Sequence, residues 1–267
     1  MKHEQYVLMH DVEDVHWWYR VLRGLVLNAL NVMVPRGKRV LDAGCGTGGM
    51  LRSLGEWETY GCDVSEEAVE LCRSHHLSRI TSCDLQAMPY PVGMFDAVLS
   101  LDVLYHSRVE ERVALREMRR VLKPGGLLVV NVPAFECLSG MHDRAVDGAR
   151  RYRKEALCEL LHGQGFEVVE VYYWNAWLFL PLLLRRKISQ DEHGDLGMPP
   201  RWLNVFLSAV GKLDARLCRR MRLPLGTSLF AIARRCSEPV VSSCGVQIHK
   251  PVALISTFVL IMSVGLS

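Results

Sequence analysis

The chain has 267 residues, 49% of them apolar, and a formal net charge of +3, which suits one large globular domain or two small ones and argues against a dedicated nucleic-acid binder. Nine cysteines, an odd number without a CxxC pair, fit reduced cytoplasmic thiols; neither a disulfide framework nor a metal site is expected. The amino terminus, MKHEQYVLMHD, is too polar for a signal peptide.

Short apolar runs alternate with amphipathic ones, the pattern of an α/β protein built on a parallel sheet. An aromatic-rich helix over roughly 15–33 precedes a strand, KRVLDAG, at 38–44. A short helix, strand ETYGCDV and a helix opened by Ser65 follow; Glu66 and Glu67 suit its positive end. Strands RITSCD and FDAVLSL lead to a helix over 109–122, which Pro124-Gly125-Gly126 stops before strand LLVVNV. A charged stretch, MHDRAVDGARRY (141–152), then leads into helix 153–163 and strand FEVVEVYY. Beyond it the alternation breaks: WNAWLFLPLLLRRK is apolar with a basic end, and 201–222 carry an apolar stripe with arginines at helical spacing. TSLFAIARR reads as a last strand.

The segment VLDAGCGTGG puts a glycine-rich turn directly after a buried strand, where backbone amides can approach a ligand. Gly44, Gly46 and Gly49 formally satisfy GxGxxG, so a dinucleotide-binding fold has to be weighed. Asp42 argues against it, because a carboxylate is poorly placed beside a pyrophosphate and well placed for a cationic ligand. Asp63 at the second strand end suits a pair of ribose hydroxyls, and Asp84 at the third an adenine amine. Three acids on consecutive strand ends suit adenosine joined to a positive group, as in S-adenosylmethionine; alternatively they are caps and turn residues.

VLDAGCGTGG, YGCDVSEEAVELCR, CDLQAMPYP, FDAVLSLDVLYH and VLKPGGLLVVNVP resemble, in order and spacing, the class I S-adenosylmethionine-dependent methyltransferases, in the branch that includes quinone-biosynthesis enzymes. The resemblance covers roughly 38–173 and resumes at TSLFAIARR. It implies a Rossmann-like α/β fold: a seven-stranded sheet with helices on both faces and an antiparallel last strand at 227–234. It also implies a division into a helical lid (1–37), a cofactor-binding core (38–173), an insertion (174–222), the final strand (223–235) and a tail (236–267). Carried over by position, Asp42, Gly44, Cys45, Gly46, Thr47 and Gly48 line the methionine end of the cofactor. Asp63 and Val64 hold the ribose, Asp84 and Leu85 the adenine, and Leu101 offers its carbonyl to the amino group.

Methyl transfer is an in-line displacement, and an oxygen acceptor usually needs a base. His106, where related enzymes often carry a histidine, is one candidate; capping the next helix is its alternative role. The 141–152 stretch follows the fifth strand, at the ligand-binding edge, and resembles an HD…RRY loop of some bacterial methyltransferases. There His142 and Asp143 are a candidate base pair, Arg150 and Arg151 candidate anion clamps, and Tyr152 a pocket wall; a loop pairing its own charges is the alternative. Trp17 and Trp18 cannot both face one way on a helix, so one belongs to the core; Trp18 and Tyr19 are assigned to the substrate pocket.

From 185 to 235, eleven Lys and Arg stand against four Asp and Glu. With the apolar stripe this suits either a helix covering core or one meeting a membrane surface or lipid-like substrate. The uncharged tail, 251–267, is at the lower limit for a bilayer span, and a packed tail is the alternative. The expected function is methylation, at oxygen, of a small-molecule or lipid-linked acceptor, in the cytoplasm or at the inner face of a membrane. Nucleic acid is not an expected partner, since no NPPY-like motif follows the fourth strand. A catalytically silent binding subunit on the same fold is the rival class, and nothing in the sequence addresses oligomeric state.

Overall fold

The computed structural model describes residues 3–140, 147–188 and 198–237. Seven strands form one sheet in the order β3-β2-β1-β4-β5-β7-β6. They are β1 (Arg39–Ala43), β2 (Glu58–Asp63), β3 (Ile80–Ser82), β4 (Phe95–Leu101), β5 (Leu122–Pro133), β6 (Phe166–Trp174) and β7 (Ser228–Arg235). β1 pairs in parallel with β2 and β4, β2 with β3, and β4 with β5. β7 inserts antiparallel between β5 and β6, in register from Leu127–Arg234 and Phe166–Arg235. This is the Rossmann-like sheet with reversed last strand expected from the sequence.

The inner strands are apolar almost throughout because helices cover both faces of the sheet. Val40, Leu41 and Ala43 of β1 and Val98 and Leu99 of β4 are fully buried. One face packs against α5 (Glu111–Val121) and α6 (Lys154–Gly163), through Leu115, Met118, Leu157 and Leu161. The other packs against α2 (Trp17–Met33), α3 (Gly49–Arg52) and α4 (Glu66–Ser74), through Val26, Leu30, Leu51 and Val69. Ser65 caps α4 by accepting from the Ala68 amide, with Glu66 and Glu67 in the first turn as expected.

Three boundaries differ from expectation. β3 keeps three residues, because this edge strand has one partner and a single buried side chain, Ile80. β5 begins at Leu122, directly after α5, and Gly125 takes a positive φ of 73° to turn the chain within it. A further helix, α1 (His3–Val12), precedes the aromatic helix and packs on α4.

Between β6 and β7 lie a 3-10 turn at Ala176–Leu178, α7 (Phe179–Ile188) and α8 (Arg201–Met221). α8 lies against α2 and β6: Asn204 accepts from the Trp17 amide at 2.8 Å and donates to the Val15 carbonyl at 2.7 Å. Among the described residues no helix is long and apolar enough to cross a membrane. The tail at 251–267 lies outside the described residues.

Candidate active site

The carboxyl ends of β1, β2, β4 and β5 converge where an open α/β sheet binds ligands. The turn after β1 takes positive φ at Gly44 (86°), Gly46 (52°) and Gly48 (87°), a run of left-handed positions that side chains oppose. A Cβ on Gly44 would also strike Val103, which sits just beyond β4. The turn therefore presses against the connection that carries the candidate catalytic residues. Cys45 and Thr47 of the same turn are buried.

Asp42, next to last in β1, is 1% exposed, and its Oδ1 has no hydrogen-bond partner among the described residues. Burial first, then Asp63 and Glu13, push its pKa up to about 7. The Thr47 hydroxyl is likewise buried without a partner among the described residues. An orphaned buried acid is costly unless something cationic answers it. These residues fit the positively charged methionine end of S-adenosylmethionine.

Asp63, 17 residues beyond Gly46, is already engaged. Its Oδ2 accepts from the Gly46 amide at 2.9 Å, while Oδ1 accepts from the Ser65 amide at 3.0 Å and the Tyr6 hydroxyl at 3.2 Å. Tyr6 belongs to α1, which lies over the glycine turn: Met9 stands where a Cβ on Gly46 would go. Just beyond the helix, Glu13 accepts from the Gly49 amide at 3.1 Å and pairs with Arg52 at 2.8 Å. Asp84 accepts from the Gln86 amide at 2.8 Å, the geometry of a turn residue, and stays exposed; Leu85 beside it is buried, and Val64 is exposed.

The residue that sequence reasoning passed over is Asp102, next to Leu101 at the end of β4. Its φ of 55° is rare for a side-chain-bearing residue. Asn131, wholly buried on β5, donates to Asp102 Oδ2 at 2.8 Å and accepts from the Trp174 indole at 2.9 Å. Burial pushes the Asp102 pKa up to about 7, with Asn131 and Arg151 acting in the opposite sense. Tyr19 lies close enough to Glu13 and Asp102 for both to raise its own pKa, after burial. Trp18, half-buried, stacks on Trp174 at 5.8 Å. Trp17 is buried in the core.

His106 lies one turn further on, stacked on Tyr105 at 4.4 Å. Residues 147–152 run back beside it: the Ala149 amide donates to the Tyr105 carbonyl at 2.9 Å, and the Tyr152 amide to Pro133 at 2.9 Å. Arg150 reaches Glu111 at 3.3 Å and the Val109 carbonyl at 3.1 Å. The buried Tyr152 hydroxyl lies 2.7 Å from Glu111 Oε2 and 3.1 Å from the Leu104 carbonyl. Both side chains pin the loop to the segment after β4. Arg151 is anchored at Ala134 and Glu136 and carries its charge toward Asp102. His142 and Asp143 lie outside the described residues.

A family described as a methyltransferase domain matches residues 41–130, the stretch from β1 through most of β5. The tRNA (carboxymethyluridine(34)-5-O)-methyltransferase of Xenopus tropicalis is 37% identical over 105 residues, 39% of this chain and 17% of that protein. A malonyl-acyl-carrier-protein O-methyltransferase of Enterobacter lignolyticus is 33% identical over 151 residues, 51% of this chain and 58% of that protein. The chain thus spans less than two thirds of the length of these curated relatives. Among solved structures, the cyclase SpnF is 26% identical with a TM-score of 0.55, covering 82% of both chains. Geranyl diphosphate methyltransferase in complex with S-adenosylmethionine, 16% identical, shares the fold at a TM-score of 0.57 over 81% of this chain and 85% of its own. Residues 41–130 thus carry the methyltransferase domain, on the sheet of the class I methyltransferases, a family whose cofactor is S-adenosylmethionine.

Proposed function

We propose that the domain methylates a hydroxyl or carboxyl oxygen on a small or lipid-linked acceptor, with Asp102 as the base. When bound, S-adenosylmethionine supplies an electrophilic methyl group on a sulfonium. Asp42 answers the positive end of that ligand, and the glycine turn brings backbone amides close to it. Asp102 stands at the acceptor side, fixed through one oxygen by Asn131 and close to Arg151. A carboxyl that titrates at about 7 holds a proton tightly enough to take one from a hydroxyl, yet is substantially ionised at neutral pH. Arg151 favours that ionised form. The loop at 147–152, pinned by Arg150 and Tyr152, walls the same space. The observation that carries the reading is the clamped, raised-pKa carboxyl of Asp102 one residue from Val103, which touches the glycine turn.

The acyl-carrier-protein relative supports an oxygen acceptor, while the tRNA relatives favour a second reading, methylation of a modified tRNA base. Labelled-methyl transfer from S-adenosylmethionine into lipid extract, small carboxylic acids and bulk tRNA separates the two. With the acceptor so found, Asp102→Asn should cut turnover by about 10²–10⁴-fold while calorimetric affinity for S-adenosylmethionine stays near wild type. Full turnover in that variant, with loss in His106→Ala instead, would move the base to His106.

A further inference from the structure

α8 is turned inside out. The side chains it buries against α2 and β6 are small or polar: Asn204, Ser208, Gly211, Ala215 and Cys218. A Cβ on Gly211 would already stand 3.0 Å from Val21, so the close approach of the two helices demands small residues there. Leu203, Leu207 and Val210 are half-buried at the margin of that contact, and the other large apolar side chains point outward. Trp202 is 73% exposed, Phe206 59%, Leu213 57% and Met221 63%. Lys212, Arg216 and Arg220 are exposed along one border of that stripe. The helix has a single acid, Asp214, which faces inward and accepts from the Ala176 and Trp177 amides at 3.3 Å. The helix spans 21 residues, and at helical spacing 202, 206, 213, 217 and 221 fall on one face, with 212, 216 and 220 beside them.

We propose that this outward face of α8 docks the domain on an anionic lipid bilayer. An apolar stripe beside a row of cations is the arrangement by which a helix lies in the headgroup region, apolar side down and cations on lipid phosphates. Other occupants match one half of the surface only. A second copy would meet the cations with cations, because the face offers no acid to pair with. The uncharged segment 251–267 would cover the apolar stripe and leave the cations unanswered. RNA phosphates would answer the cations and leave Leu213, Leu217 and Met221 without partners.

The test is flotation of the full-length protein with vesicles of phosphatidylcholine alone or with 30 mol% phosphatidylglycerol (a composition on the order of that of anionic cell membranes), at low and high salt. The protein should float with the anionic vesicles only, and less at high salt. The pairs Trp202→Glu with Phe206→Glu, and Lys212→Glu with Arg216→Glu, should each weaken vesicle binding by about tenfold or more. Both sites are exposed, so both variants should keep the wild-type thermal shift with S-adenosylmethionine, which reports folding independently of docking. Vesicle binding that survives both variants but is lost on deleting residues after Lys250 would assign it to the tail and overturn the proposal. So would failure of the wild type to bind any vesicle, binding to bulk tRNA that the same variants abolish, or a dimer in sizing chromatography that they dissolve.

Discussion

Asp42 and Asp63 stand near the carboxyl ends of neighbouring strands and read alike in the sequence, yet their surroundings differ. Asp63 accepts from two backbone amides and a tyrosine hydroxyl, so it holds the glycine turn in shape. Asp42 keeps one oxygen orphaned and its pKa at about 7. Asp42→Asn should therefore lower affinity for S-adenosylmethionine by roughly ten- to a hundredfold, the loss of one hydrogen bond to a charged group. It should also leave the unliganded protein as stable as wild type or more so, because it removes a buried acid. Calorimetry with a melting curve checks both; unchanged affinity would remove Asp42 from the cofactor site. Asp42 was legible because VLDAG before a glycine turn marks a strand end. Asp102 was not, because its character comes from Asn131 and Trp174, partners supplied by two other strands, 29 and more residues away.

At the scale of elements, β1 to β7 and most helices were legible because hydrophobic period and turn residues are local signals. α1 was expected only as an undivided part of the helical lid at 1–37 and was not delimited: HEQYVLMHDV has little apolar periodicity, and its place depends on contacts such as Tyr6 to Asp63, 57 residues apart. α8 was found by its stripe, but period alone does not say which side of a helix faces in; the small residues opposite the stripe decide that. α1 also packs on α4 through His10 and His75, whose ring nitrogens lie 3.5 Å apart. Burial, then Arg52 and His10, hold the His75 pKa below its usual value, whereas Asp14 and Glu13 act weakly the other way. Docked α1 thus disfavours protonated His75. The docked form is fully favoured above about pH 6.5, and that preference is lost as acid protonates His75. Hydrogen exchange of 3–12, corrected for intrinsic rates, should speed up between pH 7.5 and 5.5 (a span of about one unit either side of an ordinary histidine). His75→Gln should flatten the response, and an equal response in that variant would clear His75 of the role.

Across the whole molecule two acids with raised pKa stand at the carboxyl edge of the sheet, and pH should set how much S-adenosylmethionine stabilises the fold. Asp42 and Asp102 both titrate at about 7 when folded, against an ordinary carboxyl value of 3.8. The folded chain holds these protons more tightly than the unfolded chain. Their contribution to stability is therefore greatest in mild acid and falls as pH rises from about 4 to about 7. A cationic ligand beside Asp42 favours its ionised form and cancels that share of the loss. The rise in melting temperature on adding saturating S-adenosylmethionine should consequently grow from pH 5 to about pH 7 and then level off. In Asp42→Asn the increment should be smaller and nearly flat with pH. An increment independent of pH in the wild type would mean that Asp42 keeps its proton in the complex and that the cationic end of the cofactor is answered elsewhere.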